Sequence, residues 1–402
     1  MPAIYLDNNA TTRLDPAARD AMLPFLDGLY GNPSSIHGFG APARQAIDEA
    51  RSRVARLIGA AYDSEVIFTA GATESNSTAL LSAVAAFPER REIITTQVEH
   101  PAILEVCEHL ERQGYTIHRL PVNRQGQLDL AHYASLLSPR VALVSIMWAN
   151  NETGTIFPVE QLARLAANAG ILFHTDAVQA VGKLPVDLAS SSISLLSFSG
   201  HKLHGPKGIG VLYVKRGTRF RPLLRGGHQE RGLRAGTENV AGIAGLGVAS
   251  QLAQQHLAQE QTRVAALRDK LQHALLTRIP SSAVTGDPDH RTPNTLNIAF
   301  DYVEGEAVLL LLDQLGIAAS SGSACTSGSL EPSHVMRAMG VPYTSAHGTI
   351  RFSLSRFTTD AEIDYVIEQL PPIIARLRAL SPYWVTDKPQ LASLGEFAPA
   401  YG

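Results

Sequence analysis

Six lysines occur in this chain of 402 residues, and one of them, Lys202, sits where a lysine can do chemistry. It lies in the stretch Ile193 to Gly210, ISLLSFSGHKLHGPKGIG. A short apolar run there breaks into Ser-Gly-His-Lys and then into Gly205, Pro206, Gly208 and Gly210, which reads as a buried strand ending in a tight polar turn. Most lysines are solvated surface charges. One held at a buried strand end, flanked by His201 and His204, can instead have a lowered pKa and act as an amine nucleophile. Asp176 ends a second apolar strand, ILFHTD. A carboxylate leaving an apolar strand calls for a positive partner, and an Arg, a backbone cap or the protonated nitrogen of a pyridine ring would each serve. Gly71-Ala72-Thr73 stands between the strand EVIF and a helix. Free N–H groups and a Thr hydroxyl there make an anion site at a helix N-terminus, although a plain Thr cap fits the same residues.

A nucleophilic lysine, a carboxylate for a ring nitrogen and an anion site are what pyridoxal 5'-phosphate (PLP) requires. The lysine forms the Schiff base, and the acid keeps the ring protonated so that it draws electrons from the substrate Cα. Gln179 could bond the phenolic oxygen, and Ser199 and His201 could reach the same phosphate as Thr73. His100, in Glu99-His100-Pro101-Ala102, comes just before a helix whose Pro101 suits the first turn. That position favours a neutral imidazole, able to stack on a pyridine ring and move protons. Arg351, at the start of the strand RFSL, is a candidate clamp for a substrate carboxylate. The two cysteines differ. Cys325 stands in SSGSACTSGS, a setting that presents a reactive thiol, although an ordinary loop thiol reads the same way. Cys107, in ILEVCEHL, reads as a small buried hydrophobe. GPKGIG lacks the spacing of a nucleotide P-loop. The pairs His201/His204 and His334/His347 make no recognisable zinc set, so no intrinsic metal site is expected.

The elements that must position these residues alternate. Strands at 66–68, 93–96, 115–120, 141–148, 171–175 and 193–198 are separated by helices at 73–85, 101–113 and 159–169, which predicts a mostly parallel sheet covered on both faces. The strand at 210–214 follows a Gly-Pro-Lys-Gly turn and should run antiparallel. Ligands of such sheets sit at the carboxyl ends of strands, where the motifs fall. Residues 237–279 read as a glycine-rich helix and a long amphipathic helix leading to a second α/β unit. The expected division is an N-terminal segment 1–15 packing with the small domain, a large domain 16–260, a small domain 261–385 carrying the Cys325 loop, and an extension 386–402. Asp7-Asn8-Asn9-Ala10-Thr11-Thr12 reads as turns. The chain is 45% hydrophobic with a net charge of −3, which gives no reason to expect nucleic acid or an anionic membrane as partner. No apolar run reaches the ~18 residues of a membrane span, no basic-apolar leader opens the chain, and two cysteines make no disulfide framework, so the expected location is a reducing cytoplasm.

YLDNNATT, GNPSSIHGFG, GATESNS, VEHPA, NNETG, DAVQA, SGHKLHGPKG, RGGHQERGLRAGTEN and SSGSACTSGSLEPSHVMRAMG, in that order, resemble the NifS/IscS class of cysteine desulfurases over about residues 4 to 380. WANNETGTIFPVE, RFRPLLRGGHQERG and VTGDPDHRTPNTLNIAF resemble the nitrogen-fixation NifS branch more than the housekeeping IscS branch. The resemblance implies a homodimeric fold-type I PLP-dependent transferase, with a seven-stranded large domain and a smaller α/β domain. It implies that Lys202 holds PLP, Asp176 pairs the ring nitrogen, Gln179 bonds the phenolic oxygen and His100 stacks on the ring as acid/base. Ala72, Thr73, Ser199, Gly200 and His201 would bind the phosphate, joined by Thr237 across the dimer interface. Asn151 would lie by the ring and substrate, and Arg351 would hold the substrate carboxylate. Cys325 would take the sulfur of L-cysteine as a persulfide, releasing L-alanine. An iron–sulfur scaffold of the NifU kind would accept that sulfur for nitrogenase maturation, with Cys325 as a transient shared cluster ligand. A housekeeping desulfurase, a selenocysteine lyase and an aminotransferase are the alternatives.

Overall fold

The structure is a computed structural model, and it describes residues 3–321, 332–382 and 384. Cys325 lies outside the described residues. The chain opens on strand β1 (Ile4–Tyr5) and helices α1 (Pro16–Leu26) and α2 (Ala41–Leu57). The alternating region follows as β2 (Val66–Thr69), α3 (Ala72–Ala86), β3 (Glu92–Thr96), α4 (Pro101–Arg112) and β4 (Thr116–Leu120). It continues as α5 (Leu130–Leu136), β5 (Val141–Ser145), α6 (Val159–Asn168), β6 (Leu172–Asp176), β7 (Leu195–Ser199) and β8 (Gly210–Val214). Helices α7 (Val240–Gln259) and α8 (Ala265–Arg278) are joined by a π-helical turn, Glu260–Val264. Strands β9 (Ser282–Val284) and β10 (Thr295–Phe300), helix α9 (Gly305–Gln314) and strand β11 (Ile317–Ala318) come next. The last elements are α10 (His334–Ala338), α11 (Tyr343–Ala346), β12 (Thr349–Ser353) and α12 (Asp360–Leu380).

Seven strands form one sheet in the order β2-β8-β7-β6-β5-β3-β4. Its pairings are parallel except those of β8, which runs antiparallel to both neighbours as the Gly-Pro-Lys-Gly turn requires. Side chains alternate between the faces of a strand. In β5 and β7 that alternation sends Val144 and Leu196 into a core with α2, α6 and α7, and Leu143 and Leu195 into a second core with α3 and α4. Burial on both faces explains why β5 and β7 are buried at every position. Cys107 is fully buried in the second core.

A separate core gathers β10, β12, α8, α9 and α12, and it includes Ile4 and Leu6 from the N-terminus. Ile4 and Tyr5 pair in parallel with Ile317 and Ala318. The chain thus starts on this second core and then crosses to the large sheet. Four short elements had no counterpart in the sequence pattern: β1, α5, β9 and α11. Helix α10 is capped by Ser333, whose Oγ accepts from the Val335 N–H at 3.0 Å.

The loop after β8 is tied back to α2 by a buried ion pair and to α3 by Arg234 on Glu74. Arg51 donates through both terminal nitrogens to Glu230, each at 2.7 Å, and Glu230 also accepts from the Phe68 N–H at 3.0 Å. Both side chains are buried. Removing one partner would strand a desolvated charge, so Arg51→Met should cost about 3–5 kcal/mol. Adding Glu230→Gln, which removes the stranded charge and keeps an acceptor for Phe68, should recover most of it. Urea unfolding followed by circular dichroism measures both; an unchanged midpoint in Arg51→Met would contradict this account of the loop.

Candidate active site

A cavity of about 600 Å³ opens where the strands of the large sheet end. Asp176 closes β6, His100 precedes α4 after β3, and Lys202 lies in a one-turn 3-10 helix, Gly200–Lys202, directly after β7. These three line the cavity together with Ala72, Thr73, Asn151, Gln179, Ser199, His201 and Arg351, all sequence-predicted. Asp176, His100 and Lys202 meet there because parallel strands present their carboxyl ends on one edge, while Arg351 reaches the cavity from β12 of the smaller sheet.

Asp176 is buried, and its carboxylate is held by neutral donors. Asn76 Nδ2 donates to Oδ2 at 2.7 Å and the Val178 N–H donates to Oδ1 at 3.0 Å. Among the described residues no Arg or Lys lies within ion-pairing distance, so the Arg partner considered from sequence is absent. A buried carboxylate oriented into a cavity without a cation is a receptor for a cationic group.

His100 is the cap of its own helix, with Nδ1 accepting from the Ala102 N–H at 3.1 Å. Burial pushes its pKa down, opposed by Asp176 and assisted by Lys202. Both the cap bond and the shift favour the neutral ring. The ring stands on a fixed base. Glu99 is fully buried, accepts from Thr96 Oγ1 at 2.8 Å and from the Met147 N–H at 3.0 Å, and is pushed by burial up to about 8. His334 Nε2 lies 2.9 Å from the Glu99 carbonyl, which ties α10 to the same turn.

The anion end lies at α3. Its N-cap is Gly71, with no side-chain cap bond, so the plain Thr cap is not what forms. The first N–H groups of the helix lack intrahelical partners, and Gly71, Ala72 and Thr73 line the cavity. Gly210 allows this turn to lie close, because a Cβ there would stand 2.6 Å from Gly71 Cα. Ser199 and His201 face the same end. His201 is pushed down to about 4 by burial, then by Lys202 and Lys207, and its Nδ1 lies 3.1 Å from Thr11 Oγ1. Gly200 is buried beneath, close against Ile209 and Pro206. Thr237 does not line this cavity; it is exposed beside a smaller hollow that shares Gly208 with it.

The remaining polar contacts come from the N-terminal segment, which the sequence pattern read only as turns. Lys202 Nζ donates to the carbonyls of Asn9 and Ala10, the second at 2.7 Å. Asn9 also receives Gln179 Nε2 on its carbonyl at 3.0 Å and donates to Thr295 Oγ1 at 2.8 Å. Arg351 is paired with Asp7 at 2.8 Å and donates to the Asn151 carbonyl at 3.0 Å, while its Nε is buried without a partner. Asn9, Ala10, Thr11, Asn76, Met147 and Lys207 are cavity residues that residue-by-residue reasoning did not pick out, although YLDNNATT and GATESNS contain four of them.

The residues present fit PLP. The uncompensated carboxylate of Asp176 suits a protonated ring nitrogen, the cradle at Gly71-Ala72-Thr73 suits a phosphate, and Lys202 lines the same cavity. Among the described residues no three His, Cys, Asp or Glu side chains cluster to hold a metal ion, and no helix is long and apolar enough to cross a membrane. His100 should remain a neutral imidazole, unprotonated at Nδ1, at pH 7 and titrate below the ordinary value of about 6.5. Nitrogen NMR of the histidines measures this, and a His100 titrating at or above that value would contradict the assignment.

The chain matches the family described as aminotransferase class-V over residues 4–366. It is 64% identical to the cysteine desulfurase NifS of Azotobacter vinelandii over 402 residues, all of both chains, and 61% identical to a cysteine desulfurase of Klebsiella pneumoniae over the same span. Among solved structures it is similar to a NifS-like protein with a TM-score of 0.87 at 39% identity, covering 93% of this chain and 100% of the other. A solved complex of SspA with cysteine superposes with a TM-score of 0.78 at 33% identity, covering 89% of this chain and 100% of the other. The chain therefore belongs to the class-V aminotransferase family, among its NifS-type cysteine desulfurases.

Proposed function

We propose that the protein is a PLP-dependent cysteine desulfurase that moves the sulfur of L-cysteine onto Cys325 and releases L-alanine. The single observation that carries the cofactor assignment is Asp176, a buried carboxylate with two neutral donors and, among the described residues, no cation, facing the cavity that Lys202 lines. Bound there, PLP would supply an electron sink for the bonds at the substrate Cα.

The residues divide the work. Lys202 would hold the cofactor and then move the Cα proton. Asp176, fixed by Asn76 and Val178, would keep the ring nitrogen protonated. Gln179 would donate to the phenolic oxygen. His100, held neutral by its cap bond, would stack on the ring and carry protons. The start of α3, with Ala72 and Thr73, would bind the phosphate with Ser199, Gly200 and His201. Arg351 would take the substrate carboxylate beside Asn151. Since Asp7 already occupies one of its terminal nitrogens, the incoming carboxylate would share the guanidinium or displace that contact. Cys325 would attack as thiolate at the substrate sulfur, so that an S–S bond forms and the C–S bond breaks. The products are a Cys325 persulfide and, after proton uptake at the former Cβ, L-alanine.

We place the enzyme in the cytoplasm as a homodimer, with Thr237 completing the partner's phosphate site, which is consistent with its position outside this chain's own cavity. Residues 16–260 would form the cofactor-binding domain and 261–385 the small domain carrying the Cys325 loop. The sulfur would pass to an iron–sulfur scaffold of the NifU kind, and Cys325 could serve briefly as a shared cluster ligand. The NifS name of a full-length relative supports a role in nitrogenase maturation.

The purified enzyme should show an absorbance band at about 390–420 nm that Lys202→Ala lacks. A wild-type protein without the band after reconstitution, or an unchanged band in Lys202→Ala, would refute the cofactor assignment. The cysteines supply a second test. Burial pushes the Cys107 thiol up to about 12, so it is inert at neutral pH. Cys325→Ala should therefore abolish alanine release from L-cysteine and the gain of about one sulfur mass on the protein, while Cys107→Ala keeps turnover and loses at most a few kcal/mol of stability. Normal turnover in Cys325→Ala, or a persulfide on Cys107, would refute the sulfur-acceptor role.

A further inference from the structure

A second lysine lies directly behind the site. Lys183 is buried and does not line the large cavity; it lines a small adjoining hollow with His204, Glu260 and Arg356. Its Nζ lies 2.5 Å from Gln179 Oε1 and 3.5 Å from Asn9 Oδ1. Gln179 Nε2 in turn donates to the Asn9 carbonyl at 3.0 Å. Among the described residues Lys183 forms no ion pair: Glu260, the nearest acidic group in the hollow, lies beyond salt-bridge distance.

The chemistry of these three groups fixes the Gln179 amide. Burial lowers the pKa of the Lys183 ammonium to about 7, and its Nζ donates to Oε1, so the oxygen end of the amide faces Lys183. A main-chain carbonyl only accepts, so the nitrogen end must face Asn9. The two demands agree, and they leave the second Nε2–H for the cavity that Gln179 lines. When Lys183 is protonated, its charge against the amide oxygen also draws electron density from the nitrogen, which makes that N–H a stronger donor. Lys183 sits four residues after Gln179, in the turn that follows β6, so the strand that delivers Asp176 also delivers this pair.

We infer that Lys183 is a positioning residue for the reaction: it holds the Gln179 amide nitrogen toward the cavity as the donor for the cofactor's phenolic oxygen. The inference rests on the PLP reading above. Without Lys183, Gln179 Oε1 would be buried with no donor, and the amide would turn to satisfy it at the expense of the cavity contact.

The test is a pH titration of the visible cofactor band in the reconstituted, full-length enzyme, comparing wild type, Gln179→Leu, Lys183→Met and the double variant. Lys183→Met replaces a desolvated charge with an apolar chain of similar length, a change that buried sites tolerate. The single variants should shift the titration in the same direction, with Lys183→Met giving most of the Gln179→Leu shift, and the double variant should shift no further than Gln179→Leu alone. Lys183→Arg keeps a donor to Oε1 and should return the titration toward wild type. Additive shifts in the double variant, a Lys183→Met titration equal to wild type, or Lys183→Arg behaving as Lys183→Met would each overturn the inference. A wild-type enzyme with no band to titrate would overturn the PLP reading and this inference with it, whereas a band moved by Gln179→Leu and untouched by Lys183→Met overturns the inference alone.

Discussion

A carboxylate is costly to bury, and Asp176 is buried at the floor of a cavity with two neutral hydrogen-bond donors and, among the described residues, no cation. Much of the surrounding architecture can be read as the means of keeping it there. β6 carries it to the sheet edge, α3 supplies Asn76, and the turn after β6 supplies the Val178 N–H. The same turn returns through Gln179 and Lys183 toward the N-terminal segment. A site built this way is incomplete in charge until a cation occupies it, which is the physical basis for the proposed pairing with a protonated ring.

The N-terminal segment is the second constraint. Ile4 and Leu6 are buried in the core of the C-terminal region, while Asn9 and Ala10 accept from Lys202 at the edge of the large sheet. Asn9 joins both regions: its backbone N–H donates to Ser353 Oγ at 2.9 Å, its side chain donates to the Asn151 carbonyl at 3.1 Å and to Thr295, and its carbonyl receives Gln179. Asp7 on the same segment holds Arg351. Two parts of the chain that line the cavity, carrying Lys202 and Arg351, are thereby fixed to one short strap.

The reach of the sequence is instructive residue by residue. Strand ends such as ILFHTD and LLSFSGHK were legible because a buried parallel strand is a continuous apolar run that stops abruptly at a polar residue. His100 was legible because Pro101 marks a helix start, and the structure adds that the ring itself is the cap. Of the partners the sequence suggests for Asp176, the backbone cap forms with Val178, but its other donor, Asn76, is 100 residues away on a helix whose buried face carries Ser75, Asn76, Thr78 and Ser82. Polar residues along the buried face of a helix were the available signal. Asn9 was not legible at all from local pattern, since Asp-Asn-Asn is ordinary turn chemistry and every bond that gives Asn9 its role is long-range. Only the family motif YLDNNATT marked it. Cys325 lies outside the described residues, and its proposed role rests on the motif and on the contrast with buried Cys107.

The account stands most directly on Asp176, and turnover of L-cysteine by reconstituted Asp176→Ala tests it. Loss of the group that keeps the ring nitrogen protonated should lower the rate of alanine formation by roughly 10² or more, as other deletions of preorganised electrostatic groups do. The variant should still carry PLP on Lys202, since the lysine and the phosphate cradle are untouched. An Asp176→Ala enzyme that carries PLP and turns over at the wild-type rate would contradict the central claim that this carboxylate is the partner of the cofactor ring.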